Sequence, residues 1–113
     1  EGYKMDRITD KAVKKWIDSF LEMLNKKYSP EKVLIFGSRA RGDHLIDSDV
    51  DIIIVSKKFE GINWLERIRN VSADWEGLVL LEPLCYTPEE FEEKKKEIGI
   101  VNQAIKEGIE LEA

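Results

Sequence analysis

The chain has a single cysteine and a single histidine in 113 residues. One cysteine permits no internal disulfide and excludes a cysteine-rich zinc site, and because Cys85 lies in the apolar run LVLLEPLCY it reads as a small core residue. Positive charge is not in excess: 18 Lys and Arg stand against 23 Asp and Glu, a formal net charge of -5. That balance argues against a broad basic surface gripping long nucleic acid by its phosphates, while a local pair such as Arg39 and Arg41 can still hold one polyphosphate. No run approaches the roughly 18 to 20 apolar residues of a membrane helix, and the first residues carry no apolar stretch of signal-peptide type, so a cytoplasmic protein is expected. Repeats, linkers and low-complexity tracts are also lacking. The charge run from Glu92 to Glu97 alternates in sign in blocks, as a solvated helix face does.

The residues present describe an ordinary globular protein, 42% hydrophobic and 36% charged. A chain of this length buries one core and rarely divides, so one domain over residues 1–113 is expected. From Thr9 to Tyr28 the apolar residues Val13, Trp16, Ile17, Phe20, Leu21 and Leu24 recur at helical spacing, with Thr9 or Asp10 as cap and Ser29-Pro30 as stop. Val33–Phe36 and Val50–Val55 read as central strands. Ile62–Trp75 keeps a helical period with Asn63 as cap, and Leu78–Tyr86 reads as a third strand whose Pro83 points to an edge, a bulge or an early strand end. Thr87-Pro88-Glu89-Glu90 is a capping box. It starts a helix running towards Ile98, followed past Gly99 by a shorter one to Lys106 and a short strand over Ile109–Leu111. Trp16, Trp64 and Trp75 are expected in the core, and His44 exposed in a loop.

The informative stretch is VLIFGSRARGDHLIDSDVDIIIVS, residues 33–56. Asp49 and Asp51 are two apart at the start of a strand, so both side chains point to one face. Such a carboxylate pair is costly unless a cation neutralises it, and hard oxygen ligands suit Mg²⁺, which keeps waters and binds through one or two carboxylates plus substrate phosphates. Gly37-Ser38 ends the first strand, where free amides and a hydroxyl fit a triphosphate, and a glycine admits the phosphate close to the backbone. Arg39 and Arg41 add positive charge that no pKa tuning removes. Asp43 and Asp47 suit turns around the loop.

Gly37-Ser38, ten intervening residues and Asp49-Val50-Asp51 resemble the signature of the DNA polymerase beta-like nucleotidyltransferase superfamily. More closely, Gly37-Ser38-Arg39-Ala40-Arg41-Gly42 followed by Ser48-Asp49-Val50-Asp51-Ile52 is similar to the minimal nucleotidyltransferase (MNT) domains, of the MntA-like antitoxin type. The resemblance implies an α+β fold, a small mixed β-sheet packed against helices, with residues 1–113 as one nucleotidyltransferase domain. It implies that Gly37 and Ser38, with Arg39 and Arg41, bind the nucleotide phosphates, and that Asp49 and Asp51 hold two Mg²⁺ ions. The third acid of the resemblance falls on Glu82, where relatives carry Asp. Its extra methylene either reaches the metal or turns aside and leaves two ligands.

The implied reaction is attack of a hydroxyl on the α-phosphate of a nucleoside triphosphate, ATP being expected, with release of pyrophosphate. The resemblance implies a tyrosine of a small helical HEPN partner as acceptor, in an antitoxin role. The alternative is a catalytically silent subunit that neutralises or scaffolds a partner by contact, a reading motivated by Glu82.

Overall fold

The computed structural model of the chain describes residues 10–111. Helix α1 (Asp10–Tyr28) is followed by strand β1 (Lys32–Phe36), a four-residue helical turn α2 (Ser38–Arg41), strand β2 (Val50–Val55) and helix α3 (Trp64–Ser72). Strand β3 (Leu81–Tyr86), helices α4 (Pro88–Lys95) and α5 (Ile100–Glu107) and the two-residue strand β4 (Ile109–Glu110) complete the order. The four strands form one mixed sheet in the order β3-β2-β1-β4. β1 runs antiparallel to β2 and β4, whereas β2 and β3 are parallel. The α+β class, with helices packed on a small mixed sheet, is therefore as expected. The two central strands are the two apolar runs that flank the polar loop.

Period-two alternation divides the sheet into two faces. Val33, Ile35, Val50, Ile52, Ile54 and Cys85 pack with Val13, Phe20 and Leu24 of α1 and Val71 of α3. Leu34, Phe36, Ile53, Val55 and Tyr86 turn the other way, against Phe91 of α4 and Val101 and Ala104 of α5. Both faces of β2 are covered over most of its length, which is why Ile52, Ile53 and Ile54 can be consecutive and all buried.

Several boundaries differ from those read in the sequence. Thr9, a candidate cap, lies outside the described residues. α3 stops at Ser72 rather than reaching Trp75. The Trp75 indole instead packs edge-on against Phe20 with ring centres 5.4 Å apart, and its Nε1 donates to the Val79 carbonyl at 2.8 Å. β3 begins at Leu81, not Leu78, because β2 offers no ladder residue before Val50, whose amide already takes the Leu80 carbonyl at 2.8 Å. α4 ends at Lys95, three residues short of Ile98, since only Phe91 of its residues is buried and nothing apolar extends the packing.

The expected caps form. The Asn63 side chain accepts from the Glu66 amide, and Thr87 and Glu90 make both halves of a capping box. Arg67, unremarkable in the sequence, ties these pieces together. Its buried guanidinium donates to the carbonyls of Ile62 (2.7 Å) and Cys85 (3.1 Å) and to Glu90 (2.6 Å), joining α3, β3 and the start of α4.

Candidate functional site

α4 and α5 cover Ile53, Val55 and Tyr86 but not the beginnings of β2 and β3. On that uncovered part of the face sit the acids. Asp51 is opposite Phe36 of β1 on one side and opposite Glu82 of β3 on the other. Asp49, two residues earlier, shares the side of Asp51. Three carboxyls from adjacent strands thus meet at one place.

Their electrostatics follow from that crowding. Glu82 is pushed up to about 7, chiefly by hydrogen bonds it shares with Asp49 and then Asp51, with burial and the two negative charges adding to the rise. Asp51 is also raised, first by burial. The bond from Glu82 and the charge of Arg41 work against that rise, while Asp49 adds to it. The free cluster holds a proton that an isolated glutamate would have lost, which is how like charges share a site without a counter-ion. Among the described residues, no three His, Cys, Asp or Glu side chains stand arranged as ligands of one metal ion.

Gly37 closes β1 with φ +77°, in the left-handed region. The side chain of Asp51 occupies the space a Cβ would need: an added Cβ would collide with its Oδ2. The amides of Ala40 and Arg41 return to the Gly37 carbonyl at 3.1 Å each, forming the α2 turn, and Gly42, with φ +85°, ends it. The first amides of such a turn have no intrahelical acceptor. Gly37-Ser38 therefore stands beside the carboxyls, as its spacing in the sequence suggested.

The two arginines of the motif have different surroundings. Arg41 is exposed and reaches towards the site, its Nε on Asp43 (3.1 Å) and its Nη1 on Glu107 of α5 (3.3 Å), where Gln103 also donates. A recess of about 180 Å³ lies here, lined by Phe36, Gly37, Arg41, Ile100, Gln103, Ala104 and Glu107. Arg39, expected beside it at the phosphates, has a side chain only 6% exposed. Its Nε donates to the Ser48 carbonyl (2.9 Å) and its Nη2 to that of Ile46 (3.0 Å), with Asp10 at 3.5 Å from Nη1. Arg39 thus holds the loop that delivers Asp49.

His44 corrects an expectation. It is not an exposed loop residue: its side chain is 16% exposed and its Nε2 lies 2.7 Å from Asp10 Oδ1. Its Nδ1 is buried with no hydrogen-bond partner among the described residues. The bond to α1 draws the ring inward. Of the partners of His44, Arg39 and Arg41, Asp10 was read in the sequence only as a helix cap and Glu107 was not singled out. They lie 29 to 66 residues from those partners, beyond any local pattern.

A sequence profile of the nucleotidyltransferase domain matches residues 17–109, a span that contains every residue from Gly37 to Glu82. The chain belongs to this nucleotidyltransferase domain family. A candidate protein adenylyltransferase of Methanocaldococcus jannaschii is 46% identical over 43 residues, covering 36% of this chain, and the match spans less than half, 43%, of that relative's length. Among solved structures, a candidate nucleotidyltransferase of Sulfolobus solfataricus is 29% identical, with a TM-score of 0.61 over 85% of this chain and 76% of that one. BolA1 of Arabidopsis thaliana is similar over a smaller part, 66% of this chain and 94% of BolA1, at 30% identity and a TM-score of 0.53. The profile match spans more of the chain than that partial likeness. Among the described residues, no helix is long and apolar enough to cross a membrane.

Proposed function

We propose that this chain transfers a nucleoside monophosphate, AMP from ATP, to a hydroxyl of a partner protein, with Gly37, Ser38 and Arg41 on the phosphate side and Asp49, Asp51 and Glu82 at the reacting phosphorus. The observation that carries the reading is the meeting of the three carboxyls in front of Gly37, where the Asp51 side chain fills the space that the glycine lacks. The M. jannaschii relative, described as a candidate protein adenylyltransferase, supports a protein acceptor. We assign Arg39 to positioning the 42–49 loop rather than to phosphate contact.

The donor set suits Mg²⁺. Its oxygens are hard ligands, their mutual repulsion already retains a proton, and Mg²⁺ is held by a few carboxylates and substrate phosphates rather than by a cage of protein ligands. Asp49, Asp51 and Glu82 would hold it once their side chains turn from the hydrogen-bonded arrangement of the free cluster, which is not itself a ligand set. Bound there, the ion would neutralise charge on the phosphates and lower the pKa of the attacking hydroxyl.

The chain's own part is positioning. Gly37 and Ser38 present amides to the triphosphate, Arg41 offsets charge on the leaving pyrophosphate, and the carboxyls face the α-phosphate. The acceptor oxygen bonds to the α-phosphorus as the bond to the bridging oxygen breaks. The hydroxyl proton passes to Glu82, whose own proton a bound cation would already have displaced, and pyrophosphate leaves. The resemblance noted in the sequence makes a tyrosine of a HEPN protein the acceptor and gives the chain an antitoxin role. Incubation with Mg²⁺, ATP labelled at the α-phosphate and a purified HEPN partner tests this reading. Covalent label on the partner's tyrosine is expected; a stable complex that never takes up label would instead establish the silent binding subunit, a reading that the glutamate at position 82 favours.

A further inference from the structure

Trp16, expected in the core, is only partly buried. Its remaining surface lines a recess of about 260 Å³ between α1 and the segment leading into β3, together with Ser19, Phe20, Met23, Asp74 and Glu76. Phe20 belongs to the core on the α1 face of the sheet, whereas Asp51 points to the other face, so the recess is separate from the acid cluster. The segment above it is pinned from several sides. Gly77 stands against both tryptophans, where an added Cβ would collide with the Trp75 ring and come 3.0 Å from that of Trp16. Trp75 Nε1 donates to the Val79 carbonyl at 2.8 Å, and Lys27 Nζ donates to both oxygens of Asp74, at 3.1 and 2.9 Å. The recess therefore exists before any occupant arrives, which lowers the cost of binding one.

We propose that this recess receives an arginine side chain of a partner protein, its stem against Trp16 and Met23 and its guanidinium on Glu76 and Asp74. Aromatic rings and a thioether beside carboxylates suit a cation, because the rings attract positive charge, the apolar walls take the stem and the carboxylates accept its N–H groups. Phosphates and carboxylates are repelled here. At 260 Å³ the recess falls just short of the roughly 300–1,000 Å³ of pockets for drug-sized molecules, so it fits one side chain rather than a nucleotide. The chain already seats one ammonium at its rim, that of Lys27 on Asp74, while Glu76 has no ion-pair partner among the described residues. Arginine suits this rim better than lysine, since its planar fork can donate to two carboxylates while it stacks on an indole. Lys27 is then a built-in competitor for Asp74. The site does not depend on the nucleotidyl transfer proposed above.

The test uses the full chain with nitrogen-labelled tryptophans for NMR and N-acetylargininamide as probe, against N-acetylcitrullinamide, its neutral isostere, and spermidine. The arginine amide should shift the Trp16 indole N–H saturably, and the citrulline amide should not. Glu76→Gln should weaken binding about threefold, the size expected of an exposed ion pair, with the denaturation midpoint unchanged because Glu76 is exposed and unpaired. Lys27→Met should tighten binding by freeing Asp74, whereas Lys95→Met, on α4 at the other face, should leave it unaltered. Equal shifts with the two amides, or an affinity that neither Glu76→Gln nor Lys27→Met changes, would overturn the assignment. Tighter binding of spermidine than of the arginine amide would overturn it in favour of a free polyamine. A shift of the Trp16 indole on concentrating the protein alone would overturn it in favour of a second copy of this chain.

Discussion

Gly37 and Asp51 are fitted to each other: the carboxylate of Asp51 occupies the space where any other residue at position 37 would place its Cβ. The backbone at Gly37, with φ +77°, adds a second reason for glycine. Gly37→Ala is therefore expected to cost about 1–2 kcal/mol from the left-handed backbone alone and more from displacing Asp51. Chemical denaturation would measure the loss. ATP binding should fall further than stability does, because the displaced group belongs to the proposed site.

Arg39 and Arg41, two residues apart, should behave oppositely on substitution. Arg39→Ala strips two loop carbonyls, those of Ile46 and Ser48, of their donor, and an unpaired buried acceptor costs about 1–3 kcal/mol. Arg41→Ala removes only exposed ion pairs and should leave the denaturation midpoint nearly unchanged, while raising the Kd for ATP. Equal effects of both substitutions on stability would contradict the division of roles.

The acid cluster gives the metal-free protein a characteristic pH dependence. Glu82 holds its proton up to about 7 in the folded state against 4.5 ordinarily, so between those values the folded state binds more protons than the unfolded one. Stability from this group is present below the lower value and is lost as pH rises through the upper one. Glu90, lowered mainly by its bond to Arg67, has the opposite sign, and its contribution is lost as pH falls below the ordinary glutamate range. Urea midpoints should therefore decline from about pH 5 to about pH 8, and Glu82→Gln should flatten that decline. A midpoint that rises over this interval in the unaltered protein would contradict the crowding of the carboxyls.

Much of this architecture could be read in the sequence, and the reasons are local. β1 and β2 announce themselves as β-branched runs on either side of a Gly-Ser-Arg loop, and the capping box at Thr87–Glu90 places the start of α4 to the residue. The spacing of Asp49 and Asp51 put both on one face, and the third acid, Glu82, lies opposite Asp51 across the parallel β2–β3 pair. What stayed hidden depends on distant partners. His44 is held by Asp10 at the start of α1, whose carboxylate also lies 3.5 Å from Arg39, and Arg67 becomes a clamp only once β3 and α4 meet α3. The early end of α3 has the same origin, since Trp75 is drawn to Phe20 of α1. Helical periodicity alone carried that helix too far.

The most direct measurement is a calorimetric titration of ATP with and without Mg²⁺ into the unaltered protein and into Asp49→Asn with Asp51→Asn. The account predicts Mg²⁺-dependent binding that the double variant loses while remaining folded, and at least as stable because the repulsion within the pair is relieved. ATP binding that is unchanged in the double variant, or that is equally strong without Mg²⁺, would contradict it.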